Sequence, residues 1–202
     1  MLKTLLLTSF LALLLCVSPY SAQATELAPL LAELKLAAAK TETLSSRFVQ
    51  EKQLAIFAEK LLSQGRFVYR KPDRLRWELL NPVDSGFVLN GNSGKRWNSL
   101  SQEQESFSVA SDPIMGMIAQ QLLAWARVDL DWLQNRYRME LQTSAPVRLR
   151  LYPLDAGEAG FIDHLEILFA DDHRHVAEVL MVEQEGDSTL LRFTDEIGRA
   201  NV

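Results

Sequence analysis

Histidine is the side chain most often used for proton transfer and metal ligation near neutral pH, and this sequence carries three, His164, His173 and His175. Two of them fall in Asp171-Asp172-His173-Arg174-His175, whose donors could in principle clip a metal ion. That run lies between two strand-like patterns, where a solvated polar turn is expected instead. The single cysteine, Cys16, sits in an apolar leader, so no thiol is left to act as nucleophile or soft ligand. Glu103 with Glu105, and Glu183 with Glu185, are spaced two apart as on an exposed strand face, and none has an identifiable acid–base partner. The expectation is no catalytic residue and no metal.

A second set of residues could make an ester hydrolase. Gly186-Asp187-Ser188-Thr189-Leu190 resembles the nucleophile block of GDSL-type hydrolases, and Asp172 to His175 has the aspartate-to-histidine spacing used there. The order is wrong, however. Those enzymes place the nucleophile near the chain start at a strand-to-helix junction, whereas Ser188 opens a terminal strand.

The elements that would position these residues follow from periodicity. Leu27, Leu30, Leu31 and Leu34 recur at helical spacing, with Pro29 expected in the first turn and alanines at 37, 38 and 39 continuing an amphipathic helix. After Thr43 the period becomes two. Arg66 to Arg70 and Arg74 to Leu79 alternate as half-buried strands around Lys71-Pro72-Asp73, a turn sequence. Gly86 to Asn90 and Lys95 to Trp97 form a second hairpin around the loop from Gly91 to Gly94. Asp112 and Pro113 then cap and open a helix through Arg127. Asp129 to Asn135 reads as a polar segment. Alternating strands follow through 137–141, 147–151 and 161–169, and a last hairpin spans 177–194. The whole predicts an α+β fold, a single curved antiparallel sheet with helices on its concave face.

Net charge is −5, from 21 Lys+Arg against 26 Asp+Glu, so no basic excess is available to bind a nucleic acid. The apolar run from Leu5 to Val17 after Lys3, ending in Ala22-Gln23-Ala24, reads as a secretory signal over residues 1–24, followed by one domain over residues 25–202. Leu15 is too bulky for a lipidation box before Cys16. No later stretch approaches the roughly 20 apolar residues that spanning a bilayer needs.

What stands out is apolar surface. Ile114, Met115, Met117, Ile118, Leu122, Leu123 and Trp125 cover most sides of one helix, beside a sheet lined with Phe67, Tyr69, Leu75, Trp77 and Trp97. Core packing alone accounts for part of this. A helix apolar on two sides must cover the sheet and something else, and adaptable methionines suit a surface that repacks around an apolar ligand.

Ser46-Arg47-Phe48-Val49-Gln50, Gly65 to Tyr69, Lys71-Pro72 through Trp77, Asn81-Pro82 and Phe87 to Trp97 together resemble the periplasmic lipoprotein-carrier family typified by LolA. The resemblance implies an unclosed, strongly curved antiparallel half-barrel whose helices form a lid over an acyl-chain cavity. It implies a periplasmic chaperone without enzyme activity or cofactor, loaded by an inner-membrane ABC transporter and unloaded to an outer-membrane acceptor. The cargo would be lipoprotein acyl chains or, in a specialised relative, another lipid or a glycolipid. Phe48, Phe67, Tyr69, Leu75, Trp77, Met115, Ile118 and Leu122 become the expected cavity residues. Lys71 takes the position of an arginine that latches the lid in such carriers, and Leu75 that of an aromatic which often lines the cavity.

Overall fold

A computed structural model of the chain describes residues 20–195, with side chains from 26 to 194. The expected signal over 1–24, with Cys16 and the cleavage after Ala24, lies outside the residues whose side chains are described.

The opening helix α1 (Tyr20–Ala38) buries Leu31, Leu34 and Ala38 along one stripe. Pro29, expected in the first turn, lies inside it. Helix-compatible residues before it extend the helix backwards, at the cost of the hydrogen bond that a proline nitrogen cannot donate. A meander follows: β1 (Thr43–Gln53), β2 (Leu61–Arg70), β3 (Arg74–Asn81), β4 (Ser85–Asn90), β5 (Ser93–Asn98) and β6 (Glu103–Ser108). Lys71-Pro72-Asp73 makes the tight β2–β3 connection, as its turn chemistry demands. The β4–β5 connection is shorter than the expected four-residue loop, because Gly91 at φ +61° turns the chain at once and Ser93 already begins β5.

Two helices interrupt the strands. Asp112 caps α2 (Pro113–Arg127), its Oδ1 accepting the Met115 amide at 3.0 Å, and Pro113 fills the first helical position. The segment read as merely polar forms α3 (Leu130–Arg136), because Asp129 accepts the Trp132 amide and Leu130 and Leu133 bury one turn apart. Then come β7 (Tyr137–Ser144), β8 (Val147–Pro153), the single turn α4 (Ala156–Ala159), β9 (Ile162–Phe169), β10 (Val176–Glu183) and β11 (Ser188–Asp195).

All eleven strands belong to one antiparallel sheet in the order β6-β5-β4-β3-β2-β1-β11-β10-β9-β8-β7. The closing pair β1–β11 sets Phe48 opposite Phe193 and joins the first and last strands in mid-sheet. The sheet is not closed into a barrel: β6 and β7 are its two edges. The connection from β6 to β7 must therefore cross from one edge to the other, and it carries α2 and α3 across the concave face. The fold is the α+β half-barrel with helices on its inner side.

Candidate functional site

The inner face is built by alternation. Leu44, Ser46 and Phe48 on β1 are buried, as are Phe67 and Tyr69 on β2, Leu75 on β3, and Phe87 and Leu89 on β4. Cross-strand registers put Phe67 opposite Trp77, Trp77 opposite Phe87, and Tyr69 opposite Leu75, so these side chains share one surface. Phe48 stacks on Trp77 with ring centroids 4.0 Å apart, and both pack edge-on or tilted against Phe193. Gly65 makes this stack possible. A Cβ there would lie 2.2 Å from the Phe48 ring, so the ring lies flat across the glycine. Gly94 accommodates Phe107 in the same way near the sheet edge.

Helix α2 presents Met115, Ala119, Leu122 and Ala126 to this face, residues three or four apart and all buried. Ile114, Met117 and Ile118 point away and are exposed. Ile118, expected to line the cavity, is 37% exposed because it stands off the inward stripe by part of a turn. Phe48, Phe67, Tyr69, Leu75, Met115 and Leu122 are buried on the inner side, and Trp77 is half-buried against them.

Between α2 and the sheet lies an apolar cavity of about 20 Å³. Phe67 and Leu122 line it among the expected residues. The remaining walls come from Leu44 and Ser46 of β1, Trp125 and Ala126 of α2, Val176 of β10, Phe193 of β11, and His175. Alternation near Ser46 and helical spacing at Trp125 and Ala126 carried part of this signal. The second-half residues Val176 and Phe193 enter only through the long-range β1–β11 pairing, which no local spacing reveals.

The polar atoms of this region are few. The Ser46 hydroxyl donates to the Thr194 carbonyl across β1–β11 at 2.8 Å. His175, expected on a solvated turn, is 3% exposed: its carbonyl closes the turn by accepting the Ala170 amide at 3.0 Å, and its ring is buried with Nδ1 3.6 Å from Asp172. The Trp125 indole N–H and the Tyr69 hydroxyl are buried with no hydrogen-bond partner among the described residues. Burial pushes the Tyr69 hydroxyl up to about 12. Trp97, expected on the lining, is on the opposite face. It pairs with Gly86, donates Nε1–H to Asp84 at 2.9 Å, and carries Arg76 over its ring.

Lys71 sits at the β2–β3 tip and donates from Nζ to the Ala39 carbonyl at 2.7 Å, just past the end of α1, and to Glu42 at 3.1 Å. It joins the α1 end to the hairpin, and the α2 C-terminus lies beside it across a shared depression that holds Tyr69, Arg127 and Val128. No group of three or more histidine, cysteine or carboxylate side chains gathers among the described residues to hold a metal ion. Ser188 opens β11 opposite Gln53 and Val182, with neither His173 nor His175 among its partners.

A family model described as outer membrane lipoprotein carrier protein LolA matches residues 39–197. No curated protein matches the sequence. Among solved structures, MucB aligns at 16% identity and TM-score 0.52, over 90% of this chain but 61% of MucB, so the chain spans about three fifths of that protein's length. A LolA superfamily protein from Nitrosomonas europaea aligns at 9% identity and TM-score 0.44, over 83% of this chain and 90% of its own. The lipoprotein LppX of Mycobacterium tuberculosis aligns at 13% identity and TM-score 0.47, over 86% and 98%. At these identities the likeness concerns the fold alone.

Proposed function

Because the chain belongs to the outer membrane lipoprotein carrier protein LolA family, we propose that it holds acyl chains between α2 and the inner sheet face and carries them through the periplasm. The cargo is a lipidated protein, taken from an inner-membrane ABC transporter and delivered to an outer-membrane acceptor. The observation that supports this reading is the apolar cavity beneath α2, with an unpaired indole N–H in its wall. A buried donor without a partner costs about 1–3 kcal/mol, which an ester or amide carbonyl of the cargo would recover.

At about 20 Å³ the cavity has room for about one water molecule, so an acyl chain must displace Leu122 and Trp125 from the places they fill. Full burial of a chain of roughly 16 carbons contributes about 12 kcal/mol, at about 0.8 kcal/mol per CH₂. Unopposed, such binding would not release. Lost contacts between helix and sheet oppose it, and a moderately better acceptor then suffices to take the cargo.

A brominated stearoyl lipid, which quenches indole fluorescence on contact, tests the reading. Wild-type fluorescence should fall on titration. Trp125→Phe should lose a large part of that quenching, Trp77 on the same inner face carrying the rest, and Trp97→Phe, altered on the far face, should keep all of it. Leu122→Glu should weaken binding by roughly tenfold or more, since it puts a carboxylate into the cavity, while Ile118→Glu should change it little. No quenching, or equal quenching in both tryptophan variants, would remove the acyl site from beneath α2.

A further inference from the structure

The outer face of β1 to β5 collects positive charge in a chain whose net charge is −5. Register places the residues without ambiguity. Arg47 stands opposite Arg66 and Arg66 opposite Glu78. Val68 stands opposite Arg76, Arg76 opposite Val88, and Val88 opposite Lys95. Arg70 stands opposite Arg74 at the hairpin end. All these cations are exposed.

The carboxylate standing among them is Glu78, paired with Arg76 and lying 3.6 Å from Arg66. Asp84 is taken up by the Trp97 indole. Arg47, Arg70, Arg74 and Lys95 make no ion pair with any described residue. Like charges directly opposite one another destabilise a strand pair, and this face has two such pairs, Arg47–Arg66 and Arg70–Arg74. Glu78 reaches Arg66 of the first pair, and no described residue forms an ion pair with either arginine of the second.

The same arginines enclose a recess. Arg66, Arg70, Arg74 and Arg76 surround about 620 Å³ with Val68 and Val88 half-buried in its floor. That volume is in the range of ligand pockets. A guanidinium offers a planar fork of donors that matches a carboxylate in two hydrogen bonds. In an extended peptide, side chains two apart point the same way, so acidic residues at every second position can all face the arginines.

We propose that this outer face is a docking surface for an extended acidic segment of a partner protein. The recess favours a polypeptide over an anionic bilayer. A flat headgroup plane would reach its rim alone, and the valines of its floor are half-buried below that plane. The surface is on the opposite side of the sheet from the cavity, so the inference stands whether or not that cavity holds acyl chains.

The test is fluorescence anisotropy of a labelled octapeptide of alternating Glu and Val, titrated with the full chain. Wild type should bind it, and rising salt should weaken binding. The double substitution Arg70→Gln with Arg74→Gln should weaken it by roughly tenfold or more, through lost charge-assisted hydrogen bonds. Arg47→Gln should weaken it less, and Arg192→Gln, the same charge change on the other half of the outer face, should stay within about twofold. Thermal melts of each variant distinguish lost binding from lost folding. Absence of peptide binding, or binding indifferent to the arginine substitutions, overturns the proposal. So does co-sedimentation with phosphatidylglycerol vesicles that depends on Arg70 and Arg74 while the peptide goes unbound.

Discussion

The outer face of the sheet has two halves that follow opposite rules. On β7 to β11, charges of opposite sign face each other across the strands: Glu140 opposite Arg150, Arg150 opposite Glu166, and Glu178 opposite Arg192. The contacts are close, with Arg150 at 2.6 Å and Arg148 at 3.2 Å from Glu166, and Arg148 at 3.3 Å and Arg192 at 3.2 Å from Glu178. Glu51, at the far end of β1, extends this network through Arg192 and Lys60. On β1 to β3, Arg47 faces Arg66 and Arg70 faces Arg74, with Glu78 the carboxylate paired among them. Both halves are antiparallel meanders with the same alternation, so backbone geometry does not require the difference. One half neutralises itself and the other leaves its neutralisation to a partner.

The largest expected effect comes from breaking the balanced half. Glu166→Ala should leave Arg148 and Arg150 without their shared acceptor and lower stability in urea unfolding by about 1–2 kcal/mol. A loss below a few tenths would show that the network merely decorates the strands. This contribution has a defined pH dependence. Burial alone would raise the Glu166 carboxyl, but Arg150 and Arg148 more than offset it and hold the group below its usual value of 4.5. A lowered folded value means that the stabilisation is present above the unfolded value and is lost as pH falls through the folded one. The difference between wild type and Glu166→Gln should therefore be steady above about pH 5 and shrink as pH drops below 4.5.

A smaller effect of opposite sign is expected on the other half. Arg74→Glu puts a carboxylate opposite Arg70 and should stabilise the free protein by about 0.5 kcal/mol, even as it removes a docking charge. Destabilisation would mean that the arginine rows do not repel one another. The smallest effect is that of salt. Going from about 0.05 to 0.5 M should narrow the stability gap between Arg74→Glu and wild type by a few tenths of a kcal/mol, since screening relieves the like-charge pair.

The periodicities that were local in sequence predicted local structure well. Lys71-Pro72-Asp73 marks the β2–β3 turn, and Asp112-Pro113 starts α2 where the cap chemistry says it should. Helix α3 carries no legible helical period, because its seven residues contain just two buried leucines, Leu130 and Leu133. Alternation identified the strand at Trp97 but not its face, which is decided by the pairing with Gly86. The cavity wall was half legible. Phe67 and Leu122 come from patterned stretches, while His175, Val176 and Phe193 arrive through the β1–β11 seam, a contact between the first strand and the last. The arginine rows were visible as letters. Only register shows that Arg47 faces Arg66 and Arg70 faces Arg74.

The path of the β6-to-β7 connection constrains how the inner face can be reached. A flap hinged at one end swings clear of what it covers, but α2 and α3 are sewn at both ends, to opposite rims of an open sheet. They act as a bowstring across the half-barrel. Anything that wedges between string and bow must either lift the middle of the string or draw the rims together, so the contents of the cavity and the spacing of β6 and β7 form one mechanical variable.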